Sequence, residues 1–137
     1  LVAATLVRIP GVSEQLCGSF VVYRDAAKLR WLGVPGSMLS SPGAVSSACA
    51  QAMARGALKR TPEAHVSASV TGTIGDETDG HQEGRVFIAV AMRGKKKVWV
   101  EELKLVARSS KNQSAREKRQ ALASVSVFFM VRSVLMA

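Results

Sequence analysis

Apolar residues along this chain fall in short runs whose spacing switches between helical and alternating. Residues 1–9 (LVAATLVRI) predict a short helix, or the end of a longer one, which Pro10-Gly11 stops. Residues 19–23 (SFVVY) are β-branched and aromatic, and they predict a buried strand. Asp25 then stands where an N-cap belongs, ahead of the helical stretch AAKLRWL, and Gly33 fits the position just past its end. Pro35, Gly36, Pro42 and Gly43 punctuate a loop. Ser46 follows as the cap of a helix running to about Arg60, with Pro62 beyond it.

The second half reads as a sheet closed by a helix. Residues 65–71 (HVSASVT) alternate strictly, which predicts a half-buried strand with Val66, Ala68 and Val70 on one face. A polar, acidic loop over residues 72–84 leads to the apolar strand 85–92. Residues 93–97 (RGKKK) make an exposed hairpin tip, because four cations in five residues cannot be desolvated together without acidic partners. The strand 98–106 follows. Ser114 and Glu117 form a capping box for a last helix, with Leu122, Val125, Phe128 and Phe129 as its core face. The order of elements predicts one α/β domain over residues 1–137, three layers deep, with a mixed sheet covered by helices on both faces.

Composition supports that picture and narrows the function. The chain has 137 residues, 47% of them hydrophobic, so it can bury a core without staples. Cys17 and Cys49 read as small hydrophobes in a reducing compartment, with a disulfide between them left open. No basic region precedes a long apolar run at the start, and the apolar tail from residue 125 is too short to span a bilayer and carries Arg132. These features lead us to expect a soluble cytoplasmic protein without a membrane partner. Leu1 in place of Met leads us to expect a fragment of a longer protein.

The charge is lopsided. Residues 1–92 hold 8 Lys and Arg against 7 Asp and Glu, whereas residues 93–137 hold 11 against 3. A basic last third attracts phosphate or nucleic acid in principle, but only Trp99 is near enough to stack on a base. The basic stretch therefore reads first as a solvated hairpin tip and helix face, and a nucleic-acid-binding module is kept as the third functional reading. A metal site is not expected: His65 and His81 are far apart, the cysteines lack ligand spacing, and Asp76, Glu77, Asp79 and Glu83 do not follow the EF-hand order. The turn from Thr71 through Gly72 to Gly75 offers backbone N–H groups to an anion, as does the helix start at Ser46.

Several segments, in order, resemble the CinA C-terminal domain. Residues 10–13 (PGVS) are similar to that family's PGSS, and residues 18–28 (GSFVVYRDAAK) to its GGVVxYxNxxK. Residues 32–34 (LGV) resemble LLGV, and residues 43–46 (GAVS) open the helix that holds Ala52-Met53-Ala54. Val70-Thr71-Gly72 with Gly75 looks like the VTGxxG loop, and residues 84–91 (GRVFIAVA) like the strand after it.

The resemblance implies an amidohydrolase that converts nicotinamide mononucleotide to nicotinate mononucleotide and ammonia. It also implies a mononucleotide substrate, no cofactor and a homo-oligomer. In such enzymes a serine nucleophile from an ESCTGG-like motif splits amide hydrolysis into acylation and deacylation, and a neighbouring base takes its proton. Carried over residue by residue, Tyr23 and Lys28 are the catalytic helpers, and Gly18, Ser46, Thr71, Gly72 and Gly75 bind substrate. Tyr23 and Lys28 are expected to approach each other in a cleft shared with the 71–75 turn.

The departures are specific. The serine motif would precede Leu1 and is absent from these residues. Asp25 replaces the family's Asn, Ser19 its second Gly, and Asp76 its usual Pro. A carboxylate at residue 25 can pair with Lys28 and favour its charged form. The alternative reading is thus a catalytically silent homologue that keeps a mononucleotide pocket.

Overall fold

The computed structural model describes residues 1–75 and 82–137. Asp76, Glu77, Asp79 and His81, weighed above as an acidic loop and as metal candidates, lie outside the described residues. The elements are α1 (Val2–Leu6), α2 (Asp25–Leu32), the single turn α3 (Gly36–Met38), α4 (Ser47–Arg60), β1 (Val66–Gly72), β2 (Arg85–Met92), β3 (Val98–Lys104) and α5 (Ala115–Met136).

β2 organises the molecule. It pairs antiparallel with β1, Val70 opposite Ile88, and antiparallel with β3, Ala89 opposite Val100. Its residues from Val86 to Ala91 are buried without a break, because helices cover both sides. Phe87, Ala89 and Ala91 face α4, through Ala50, Ala54 and Leu58. Val86 and Ile88 face α5, through Ala123 and Val127. Burying each such aliphatic side chain stabilises the fold by roughly 1.5–3 kcal/mol. The domain is α/β and three layers deep, as its sequence implies.

β1 meets α4 through polar groups. Ser67 Oγ donates to Ala54 O at 2.6 Å, Ser69 Oγ to Ala50 O at 2.6 Å, and Thr71 Oγ1 to Ala44 O at 2.8 Å. The alternation of residues 65–71 identified two faces, and the sheet is covered on both, with Val70 packed toward α5. The structure buries Ser69 and Thr71 and exposes Ala68. Helix carbonyls have a second lone pair to offer, so these hydroxyls are buried with partners.

Four expectations are corrected. Residues 19–23 join no ladder, so the sheet is antiparallel throughout rather than mixed. Only Val22 of that run is buried, in the cluster of Leu32, Val34, Cys49 and Met53 between α2 and α4. The N-cap of α2 is Arg24, and Asp25 is the first helical residue, its carboxylate turned to Lys28 instead of the helix N–H groups. On α5, Leu122, Val125 and Phe129 are exposed, Phe129 to 64%, while Ala123, Ser124, Val127 and Val134 are buried. The small residues let α5 settle close on β2, which turns the bulky ones outward.

Other local readings match. Gly33 ends α2 at φ 70°, where its N–H donates to Leu29 O, and Ser46 caps α4 by accepting from Cys49 N. The Ser114–Glu117 capping box is formed; the Ser114 backbone N–H, then its hydroxyl, hold the Glu117 carboxyl below its ordinary range. Residues 93–97 form the exposed tip between β2 and β3. Arg93 there donates to Leu58 O, Thr61 O and Ala64 O, bracing the last turn of α4 and the chain just past it. By length and composition α5 would reach across a bilayer, as core helices also do; here its inner face lies on the sheet.

α2 crosses α4 at Gly56, where a Cβ would stand 2.1 Å from Leu32 O. Gly56→Ala is therefore expected to destabilise the fold by about 3 kcal/mol in urea unfolding. Gly18→Ala, with nothing within 4 Å, is expected to shift it by less than about 0.5 kcal/mol.

Candidate functional site

Lys28 is the centre of the candidate site. It projects from α2 into the packing between α2 and α4, and only 6% of it is exposed. A charge this buried needs partners. The ammonium donates to Asp25 Oδ1 at 3.1 Å and to the backbone carbonyl of Tyr23 at 3.3 Å. The Asp25 substitution noted in the sequence thus forms the ion pair its chemistry suggested.

The helpers do not meet through their side chains. The Tyr23 carbonyl is the group Lys28 touches, while Tyr23 is 82% exposed at the start of α2. Gly18 lies in the exposed coil before it.

Cys49, read from the sequence only as a small hydrophobe, lies within reach of the Lys28 charge. It is fully buried in the first turns of α4 and belongs to the same cluster as Val22 and Leu32. Burial pushes its thiol up, the Lys28 charge pulls it down, and Asp25 pushes it up again, with a net rise. Its backbone N–H donates to Ser46 Oγ at 3.1 Å, and Ser46 Oγ donates to Gly43 O at 2.7 Å. The Lys28 charge thus acts on Cys49, whose backbone is in turn held by Ser46. Thr71 reaches the same 43–46 loop through Ala44 O, so Ser46 and Thr71 are brought together, with both hydroxyls committed to holding that loop.

Gly72 and Gly75 fill other roles. A Cβ at Gly72 would stand 2.6 Å from Val86 Cγ2, so this glycine lets β1 and β2 close up. Gly75 lies against the Arg116 guanidinium at the start of α5. Two open depressions flank the sheet. One of about 460 Å³ is lined by Ser46, Gln51, Arg85, Phe87 and Glu102. The other, about 730 Å³, lies between β3 and α5 and is lined by Trp99, Leu103, Phe129, Met130 and Val134. Neither includes Tyr23, Lys28 or the 71–75 turn. Among the described residues, no three His, Cys, Asp or Glu side chains gather to hold a metal.

A buried lysine thus closes the 18–28 segment. Residues 1–128 match the CinA C-terminal domain family. This chain belongs to that family. A putative competence-damage inducible protein of Symbiobacterium thermophilum is 42% identical to it over 97 residues, which are 69% of this chain and 22% of that protein. One from Bacillus velezensis is 40% identical over 91 residues, again 22% of its length. The chain thus matches under a quarter of these relatives. Among solved structures, the competence/damage-inducible protein of Agrobacterium tumefaciens superposes with a TM-score of 0.81 at 29% identity, covering 96% of this chain and 76% of that one. An Escherichia coli CinA-superfamily protein superposes at 0.76 with 26% identity, covering 90% and 67%.

Both cysteines are free, Cys17 exposed and Cys49 buried with its thiol pushed up. An aromatic disulfide reagent at pH 8 is expected to titrate one thiol promptly in the folded CinA-family chain and the second only in denaturant. Two prompt equivalents would contradict the packing around Cys49.

Proposed function

We propose that this chain is the mononucleotide-binding part of a nicotinamide mononucleotide amidohydrolase. The observation that carries the reading is the buried Lys28, held at the start of α2 by the Tyr23 carbonyl and the Asp25 carboxylate. Family membership supports it, since Lys28 falls at the lysine of the YxNxxK pattern. In this reading Lys28 orients the amide end of the substrate, and the Arg116 guanidinium beside Gly75 receives the phosphate. Hydrolysis itself uses a serine from outside residues 1–137: it attacks the amide carbon, a base takes its proton, ammonia leaves, and water releases nicotinate mononucleotide.

One observation favours a silent binding module as the second reading. The Lys28 ammonium is engaged by Asp25 and Tyr23 O, and among the described residues it meets no serine hydroxyl. In that state it donates hydrogen bonds and cannot accept a serine proton. Replacing Asp25 by Asn would restore the neutral partner of the family pattern.

Ammonia release from nicotinamide mononucleotide is the decisive assay. The chain alone is expected to turn over at least about a thousandfold more slowly than a version extended upstream to include a Ser-Cys-Thr-Gly-Gly segment. In the extended protein, Lys28→Met should abolish most turnover and Asp25→Asn should raise it. Equal turnover by both lengths, blocked by a serine reagent, would place the nucleophile within residues 1–137 and refute this assignment. Tight mononucleotide binding with no hydrolysis at either length would favour the silent module.

A further inference from the structure

Arg119 belongs to none of the motifs above, yet with Lys28 it is one of two buried charged side chains among the described residues, only 5% exposed. It reaches from the second turn of α5 to the neck of the connection between β1 and β2. Its Nη1 donates to Ile74 O at 3.2 Å, and its Nη2 pairs with the Glu83 carboxylate and reaches Ala107 O at 3.4 Å. Ile74 stands before that connection and Glu83 after it, so one guanidinium holds both sides of the neck. The backbone closes the same place: Thr73 N donates to Arg85 O at 2.9 Å and Gly84 N to Thr73 O at 2.6 Å.

Burying an ion pair seldom stabilises a fold more than apolar packing would, so its presence here points to geometry rather than stability. The fork of an arginine spans acceptors in different directions at once, which a lysine cannot do. We propose that Arg119 is the positioning residue of the glycine turn: it fixes the neck so that the turn at Ile74 and Gly75, just beyond the Thr73 N–H taken by Arg85 O, faces an anionic ligand. For its ligand half this rests on the mononucleotide reading above; for the geometry it does not. The residue acts through Ile74 and Glu83 and touches no substrate.

The test uses Arg119→Lys and Glu83→Gln in the whole chain, with two measurements on each. Hydrogen exchange at the amides of Ile74, Gly75 and Glu83 is expected to speed up about tenfold in both variants, while the Val127 amide in α5 stays protected. Calorimetric titration with nicotinamide mononucleotide is expected to show an affinity about tenfold weaker. Unchanged exchange at the neck overturns the proposal, as does faster exchange with unchanged affinity. Loss of protection throughout α5 would make Arg119 merely structural and would overturn it too. If the unmodified chain binds no mononucleotide, the functional reading falls, and the exchange measurement alone decides whether Arg119 holds the neck.

Discussion

Two spacings agree where β1 crosses α4, and the rest of the structure depends on that agreement. Alternate residues of a strand advance by about 6.6 Å, and four residues of a helix by about 6 Å. Ser67 and Ser69 therefore meet Ala54 and Ala50 in register, with strand and helix running in opposite directions. Each hydroxyl must come within hydrogen-bonding distance of the helix backbone, so nothing larger than alanine fits between. The same requirement explains why Ala50, Ala54, Ala89 and Ala91 crowd the layer below α4. Net stabilisation from each bond is modest, about 1 kcal/mol, but a buried hydroxyl left without its carbonyl would lose more than that.

That register sets where the candidate site can be. Thr71 continues the row to Ala44 and so fastens the loop that ends in the Ser46 cap. The cap fixes the first turn of α4, which places Cys49 against α2, and Gly56 lets α2 lie close enough for Lys28 to be buried in the seam. Lys28 is held by a chain of short-range commitments starting in the sheet. On the other face, α5 presses on β2 with small residues and delivers Arg119 to the loop neck. The two buried cations thus sit on helices from opposite layers.

Much of this was legible in the sequence where local chemistry decides the outcome. β2 stands out as an unbroken apolar run, and the caps at Ser46 and Ser114 need only neighbours three residues away. Apart from Asp25, whose carboxylate turns to Lys28 three residues on, the misses share a cause: they depend on a partner far along the chain. Residues 19–23 have the propensity of a strand, but backbone groups need an adjacent strand to pair with, and propensity does not supply one. The α5 face was misassigned because Leu122, Val125 and Phe129 repeat with the same helical period as Ala123, Val127 and Val134, and size alone favoured the wrong set. Alternation in β1 marked two faces without saying that hydroxyls would take the one toward α4. Lys28 drew notice through its motif, whereas Arg119 is one cation in the basic stretch 116–119, and its partner Glu83 lies 36 residues away.

The outward turn of α5 has a consequence for how the molecule behaves among its own copies. Leu122, Val125 and Phe129 form an apolar strip in water, bounded on the same helix by Lys118 and Arg132. A net charge of +9 keeps identical molecules apart at low ionic strength, and that repulsion reaches about 10 Å in 0.1 M salt and about 3 Å in 1 M. Added salt therefore removes the barrier while leaving the attraction between the strips intact. Colloidal stability in this chain is thus an electrostatic property laid over an adhesive surface, and concentrated salt is the condition expected to weaken it.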